Sequence, residues 1–314
     1  MSNRKTCFLF PGQGAQAPGM SRDLWEHSEE VRRLFDEAGR IGERDMKALL
    51  FEATEEELGK TDNTQISLAL ADLAAAVVCR EHNVEPAGCA GFSLGEYPAL
   101  HTAGVLTTDA LFHIVRIRGE LMERYSREYD DEKGPAGLLA VIGLTLEDCR
   151  RILEELAEAG AFLANHSAPK QLVIAGSGTG LAEAERRFDE AGAMRIVKLK
   201  VSGPFHSPLL ETARRDFEKA LTEFHFEDPV LPYYANVTGQ RVRTGGEARD
   251  LCGKQLVSTV QWVGCEQSID ADGYDRILEV GPGKVLSGLW RGYRRGEPAC
   301  LQAGTVEKIA ELAG

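Results

Sequence analysis

A serine with a glycine two residues before it and another two residues after it, in Gly91-Phe92-Ser93-Leu94-Gly95-Glu96, is the densest chemical signal in the chain. This spacing belongs to a strand-to-helix turn so tight that a side chain at either glycine position would collide with backbone. Such a turn lifts the Ser93 hydroxyl clear of the sheet, where it can attack a carbonyl. It also aims the backbone N–H of Leu94, at the head of the next helix, to where an oxyanion would form. Small and apolar residues precede the motif, and Tyr97 to Ala103 reads as a helix closed by Gly104. In a chain with 33 glycines the competing reading is a plain structural turn.

A serine nucleophile needs a base, and there are seven histidines. His27, His101 and His113 fall inside helices, where packing accounts for them. His82 sits near a helix end, suited to contact with the C-terminal dipole. His225 alternates with Phe224 and Phe226, and His166 ends a strand. His206 differs: it follows a strand, in a loop opened by Ser202-Gly203-Pro204, the kind of segment that delivers catalytic groups. It is the candidate base, against the plainer reading of a satisfied loop histidine.

The helix from Asp109 to Tyr125 carries an apolar stripe of Leu111, Ile114, Val115, Leu121 and Met122, and Arg118 lies on that same face. Arg116 points elsewhere and can pair with Glu120 one turn on. A guanidinium turned inward is costly unless it meets a carboxylate or phosphate. Arg118 is therefore either half of an internal ion pair or an anchor for an anionic substrate. Two glycine-rich stretches do not sustain a nucleotide-binding reading. Gly12-Gln13-Gly14-Ala15-Gln16-Ala17 is interrupted by Pro11 and Pro18 and lacks a later acidic strand end, and Gly281-Pro282-Gly283-Lys284 lacks the hydroxyl residue of a phosphate loop. The first can supply a second oxyanion N–H beside Leu94.

The elements that must position these groups read as an α/β protein. Over the first 130 residues short apolar strands alternate with long helices, the pattern of a parallel sheet covered on both faces. A charged linker, Tyr129 to Pro135, ends that pattern. Strand Gly137–Leu144, a helix capped by Thr145 with Asp148 in the capping-box position and running to Gly160, strands Ala161–His166 and Gln171–Ala175, helix Leu181–Ala191 and strand Arg195–Val201 follow. This β-α-β-β-α-β order is ferredoxin-like. The expected architecture is a large α/β-hydrolase-like parallel-sheet subdomain, residues 1–133 and 202–314, with an inserted ferredoxin-like small subdomain, residues 134–201.

Composition narrows the class of function. The formal charge is −13, without a basic run, which disfavours nucleic acid and membrane surfaces as partners. Seven scattered cysteines, never spaced C-x-x-C, read as reduced thiols rather than disulfides or zinc ligands, so no metal is expected. The apolar run Ile66 to Val78 contains Asp72 and is too short to span a bilayer. Met1 to Thr6 leads straight into a strand-like segment with no room for a signal peptide. A cytoplasmic location is the expectation.

Five segments in order resemble the malonyl-CoA:acyl carrier protein transacylase family: Phe10 to Gln16, the Gly91–Glu96 turn, Arg116 to Met122, Val201 to Ser207, and Glu279 to Leu286. The resemblance implies that Ser93 is the acylated nucleophile and His206 its base, oriented by the main-chain carbonyl of Gln255 instead of an aspartate. It implies oxyanion N–H groups from Gln13 and Leu94, and Arg118 on the malonyl carboxylate. Asn165 would line the cleft between subdomains, and Phe205 matches a position where bulk accompanies malonyl preference over methylmalonyl. The implied partners are an acyl carrier protein and a coenzyme A thioester, for a monomer that uses no cofactor. The carrier would serve fatty acid synthesis, with a polyketide pathway as the alternative; Lys198, Lys200, Arg291, Arg294 and Arg295 are candidates for docking it. Two positions depart from the family pattern: Phe92 stands where histidine is usual, and Leu138 where methionine is frequent. A serine thioesterase or hydrolase on the same turn would need a carboxylate behind the histidine. A non-catalytic carrier-docking protein would have no need of Ser93 and His206.

Overall fold

Strand β1 (Thr6–Phe10) has all five residues buried, as a central parallel strand covered on both faces requires. In the computed structural model, which describes residues 4–313, it pairs in parallel with β2 (Gly88–Gly91) on one side and β9 (Arg276–Glu279) on the other. Met1, Ser2 and Asn3 of the N-terminal run lie outside the described residues. Beyond β9 lies β10 (Cys300–Gln302); beyond β2 lie β7 (Tyr233–Tyr234) and β8 (Arg241–Val242). Only β8 runs antiparallel to its neighbour in this sheet. Register sets Phe10 beside Gly91 and Leu9 beside Glu279, so the segments after β1, β2 and β9 leave the sheet side by side at its carboxyl edge. That edge is where open parallel sheets bind ligands.

The second sheet contains β3 (Gly137–Ile142), β4 (Ala161–Ala168), β5 (Gln171–Gly176) and β6 (Arg195–Lys198), in the order β4-β5-β3-β6 and antiparallel throughout. Along the chain it runs β-α-β-β-α-β. Its helices, Leu146–Leu156 and Gly178–Glu190, bury Cys149, Leu153, Ala184 and Phe188 against one face. Thr145 and Asp148 form the capping box reciprocally. Element ends differ from the sequence expectation by a few residues. Strand β3 stops at Ile142, helix Leu146–Leu156 ends before Gly160, β4 runs two residues past His166, and β6 stops at Lys198.

The two sheets meet along a seam. Val260 donates its N–H to the Ala164 carbonyl at 2.8 Å and accepts from His166 N–H at 2.9 Å, while Thr259 Oγ1 donates to Leu163 O at 2.7 Å. Beneath the large sheet, the helix Thr61–Glu81 is buried over nearly its whole length, which explains its richness in alanine and leucine; Asp72 is buried within it. The helix Thr108–Tyr125 packs beside it and turns its apolar stripe, Arg118 included, into the interior. None of the helices described is long and apolar enough to cross a membrane.

Candidate active site

The turn after β2 is built by exclusion of side chains. A Cβ on Gly91 would overlap the Gly95 carbonyl, one on Gly95 would overlap the Phe10 carbonyl, and one on Gly12 would overlap the Phe92 carbonyl. The glycines are there for close approach, and the loop after β1 is thereby pressed against the turn after β2. Ser93 itself sits at φ 54°, a left-handed conformation that costs a non-glycine residue about 1–3 kcal/mol. Asn236, fully buried just past β7, holds it there: its Oδ1 accepts from Ser93 N–H at 2.6 Å, and its Nδ2 donates to the Gly91 carbonyl at 2.6 Å.

His206 comes from the opposite side, on the loop after β6, and it too is left-handed, at φ 60°. Ser93 Oγ lies 2.7 Å from His206 Nε2, and His206 Nδ1 lies 2.8 Å from the Gln255 main-chain oxygen. A carbonyl only accepts, so Nδ1 carries the proton and Nε2 is left free to accept the Ser93 proton. Burial pushes the His206 pKa down to about 4; the Arg118 charge adds to the effect and the Gln255 carbonyl opposes it. The ring is therefore neutral at pH 7, the state a general base needs.

Arg118 is fully buried, and its bonds go to neutral groups. Nη2 donates to Gln255 Oε1 at 2.9 Å and lies 3.3 Å from Ser93 Oγ, Nη1 donates to Gln65 Oε1, and the guanidinium lies 5.4 Å over the Tyr97 ring. Nε is buried without a partner. No carboxylate among the described residues pairs with it, so the internal ion pair that the sequence left open is not formed. Arg116, as the helical period predicts, pairs with Glu120 at 3.4 Å.

Gln255 joins these groups. Besides its carbonyl on His206 and its Oε1 on Arg118, its Nε2 donates to the Ser93 carbonyl at 3.0 Å and to Glu96 Oε2. Glu96 is buried and also accepts from the Tyr233 hydroxyl and, at 3.1 Å, from the Asn236 N–H. Burial raises its pKa to about 7, against the opposing effect of these hydrogen bonds and of Arg118.

The structure thus joins Ser93, His206, Arg118 and Gln255 in one hydrogen-bonded set. Leu94, fully buried, heads the next turn, and Gln13 lies on the loop that packs against this one, with its Nε2 buried and unpartnered. Phe205 is buried in the main apolar core next to His206. Asn165 stands apart on β4 at the seam, its Oδ1 buried without a partner. Of the basic surface candidates, Lys198 pairs with Glu185 at 3.6 Å and Arg294 pairs with Asp270, while Lys200, Arg291 and Arg295 are exposed. Asn236, Gln65 and Tyr233 escaped the sequence reading, and Glu96 was seen only as part of a motif. The one usable signal is Asn236 itself, a polar residue two places after a strand at the carboxyl edge.

A serine activated by a neutral buried histidine, beside a guanidinium that meets no carboxylate among the described residues, can take an acyl group that carries an anion. Comparison with known proteins gives three findings. The family model described as acyl transferase domain matches residues 7–309. A Bacillus subtilis protein named malonyl CoA-acyl carrier protein transacylase is 36% identical over 296 residues, 93% of this chain and 91% of its own length. Two solved structures superpose closely. A malonyl-CoA:acyl carrier protein transacylase from Xanthomonas oryzae has a TM-score of 0.91 at 32% identity, covering 100% of this chain and 98% of that one. A malonyl-transacylase in complex with a type II polyketide synthase acyl-carrier protein has a TM-score of 0.90 at 31% identity, covering 97% of each.

Proposed function

The chain belongs to the malonyl-CoA:acyl carrier protein transacylase family, and from that premise we infer that it moves a malonyl group from coenzyme A to the phosphopantetheine thiol of an acyl carrier protein. The observation that carries this reading is the Arg118 guanidinium, buried 3.3 Å from the Ser93 hydroxyl without a carboxylate partner among the described residues. A cation there fits an acyl group with a free carboxylate two carbons from the reacting carbonyl.

The reaction runs in two halves. His206 Nε2 accepts the Ser93 proton as Oγ attacks the malonyl thioester carbonyl. The tetrahedral oxyanion is received by the N–H groups of Gln13 and Leu94; loss of one such donor costs about 10²–10³ in rate. Collapse breaks the C–S bond, and the departing coenzyme A sulfur takes the proton from His206. In the second half His206 deprotonates the carrier thiol, which attacks the malonyl-serine ester, and the proton returns to Ser93 Oγ. Thiols with pKa values near 8.5 leave and attack easily, so a carbonyl behind the histidine suffices where an amide substrate would call for a carboxylate. Every step is acid–base and nucleophilic, and the reading requires no cofactor.

In this reading the larger sheet is α/β-hydrolase-like, residues 1–133 with 202–314, and the smaller, residues 134–201, is ferredoxin-like; Asn165 lines the cleft between them. Phe205 narrows the acyl site against a branched α-carbon. The protein acts as a cytoplasmic monomer supplying fatty acid synthesis, and the exposed Lys200, Arg291 and Arg295 meet the acidic carrier. The structural neighbour bound to a polyketide carrier keeps a polyketide carrier as the second reading. The deciding experiment is mass spectrometry after brief exposure to malonyl-CoA. A malonyl ester on Ser93 that transfers to added holo-carrier supports the reading. Malonyl-CoA consumed equally fast without carrier would mark a hydrolase instead.

A further inference from the structure

We propose that Glu96 is a positioning residue that sets acyl selectivity, by fixing the direction of the Gln255 side-chain amide and through it the place of Arg118. This rests on the transacylase reading and deepens it. Glu96 does not touch the nucleophile, the base or the proposed acyl site. It acts one residue removed, and the chemistry of an amide makes that action directional.

Gln255 has one donor end and one acceptor end, and each faces a group with a single possible role. Arg118 has only donors, so the amide oxygen must face it; Glu96, ionised, has only acceptors, so the amide nitrogen must face Glu96. That nitrogen also donates to the Ser93 carbonyl at 3.0 Å. Glu96 is itself held by two donors from β7 and the residue after its neighbour, the Tyr233 hydroxyl and the Asn236 N–H. Asn236 in turn holds the Ser93 N–H. The carboxylate therefore lies behind both arms of the site, the turn that presents Ser93 and the amide that presents Arg118.

Replacing the carboxylate by an amide reverses one end. In Glu96→Gln the Asn236 N–H still needs the side-chain oxygen, which turns the new NH2 toward the Gln255 NH2. Gln255 must then flip or leave donors facing donors. A flipped amide sets its nitrogen against Arg118 and its oxygen against the Ser93 carbonyl, so the guanidinium loses an acceptor. Only an acyl group that uses the guanidinium feels this loss in full. Neutralising Glu96 with a proton removes the same directional charge. The titratable and charged groups around it are Tyr97 on its own helix, Arg118 on helix Thr108–Tyr125, Cys252 on helix Gly245–Gln255, Tyr233 on β7 and Cys265 on helix Trp262–Ala271. Burial raises the pKa of Tyr97, Tyr233, Cys252 and Cys265 well above the usual range, so none of these four loses a proton near neutrality. His206, at about 4, titrates below that range. Glu96, at about 7, is the group of this cluster that changes charge there.

The test is single-turnover acylation of Ser93 by malonyl-CoA and by acetyl-CoA, followed by mass spectrometry, for the unmodified protein and Glu96→Gln across pH 5.5 to 8.5. The malonyl-to-acetyl ratio of second-order constants should fall about tenfold or more in the variant at pH 8, the scale of one lost hydrogen bond to a charged group. In the unmodified protein the ratio should rise with pH through about 7, and in Glu96→Gln that rise should vanish. Parallel loss on both substrates with a lowered melting temperature would reduce Glu96 to a structural role and overturn the inference. Should the variant fail to fold, the unmodified protein decides alone: a ratio flat from pH 5.5 to 8.5 overturns it. Absence of any malonyl ester on Ser93 of the unmodified protein would instead remove the transacylase reading, and this inference with it.

Discussion

The two sheets of this protein are built to opposite standards. In the smaller one, every residue from Gly137 to Lys198 with positive φ is a glycine, the helices are capped by Thr145 and Ser177, and the interior is apolar apart from a few polar groups at the seam. At the carboxyl edge of the larger one, Ser93 and His206 are left-handed, three glycines are held in backbone contact, and Arg118, Glu96, Gln255 and Asn236 are buried together. Between these two regions the contrast is one of demand, although Ser21, Glu43 and Asn83 show that helix ends away from the site also take left-handed conformations. The strain and the buried charge are tolerated because the segments carrying them are over-determined by hydrogen bonds from four different parts of the chain.

Removing the groups proposed to react should separate the regions most sharply. Ser93→Ala should abolish the malonyl-enzyme altogether, and His206→Ala should slow acylation by about 10²–10⁴, both read by mass spectrometry of the ester. A stoichiometric ester surviving in Ser93→Ala would place the nucleophile elsewhere. The next largest effect belongs to Arg118. Stranding one partner of a buried charge pair costs about 2–5 kcal/mol, so Arg118→Ala should lose roughly 30- to 4,000-fold in kcat/KM for malonyl-CoA. Acetyl transfer should hold or improve, and an equal loss on both acyl groups would deny Arg118 its anchoring role.

A smaller effect compares glycine with glycine. In Gly91→Ala the new methyl meets the Gly95 carbonyl, and overpacking of this kind costs about 1–3 kcal/mol or more, together with activity. In Gly137→Ala, at the start of β3, the nearest atom is a Leu181 methyl at 3.9 Å, and stability should stay level or gain about 0.4–1 kcal/mol. Melting temperatures of the two variants check the contrast, and similar losses in both would erase it. The smallest change should follow Thr145→Ala, which removes one capping box at about 1 kcal/mol. Acylation kinetics should not move; if they do, the small unit is coupled to the chemistry more tightly than its construction suggests.

Much of this contrast is legible in the residues alone. The Gly91–Gly95 spacing, the period of Arg118 within its helix and the β-α-β-β-α-β order are short-range patterns, each decided by the sterics of a few consecutive residues. The loop position of His206 is a weaker signal of the same kind. Partners could not be read that way. Asn236 lies 143 residues from the Ser93 it holds, Gln65 lies 53 from Arg118, and Gln255 lies 159 from Glu96. Helix and strand ends slipped by a few residues for a related reason, since fraying and capping compete within a fraction of a kcal/mol.

What the sequence determined by itself is therefore the local geometry of reaction: a turn only glycines permit, a hydroxyl at its apex, and a guanidinium on the buried face of a helix. What the tertiary structure alone decided is the state of those groups. It set the Gln255 carbonyl, which only the family resemblance had implied, behind His206, left Arg118 without a carboxylate partner among the described residues, and turned the Gln255 amide between Glu96 and Arg118. Backbone sterics act within a turn and are written in neighbouring residues. Burial, dielectric and hydrogen-bond direction arise only when strands distant in sequence close around one point, and these set which proton sits where.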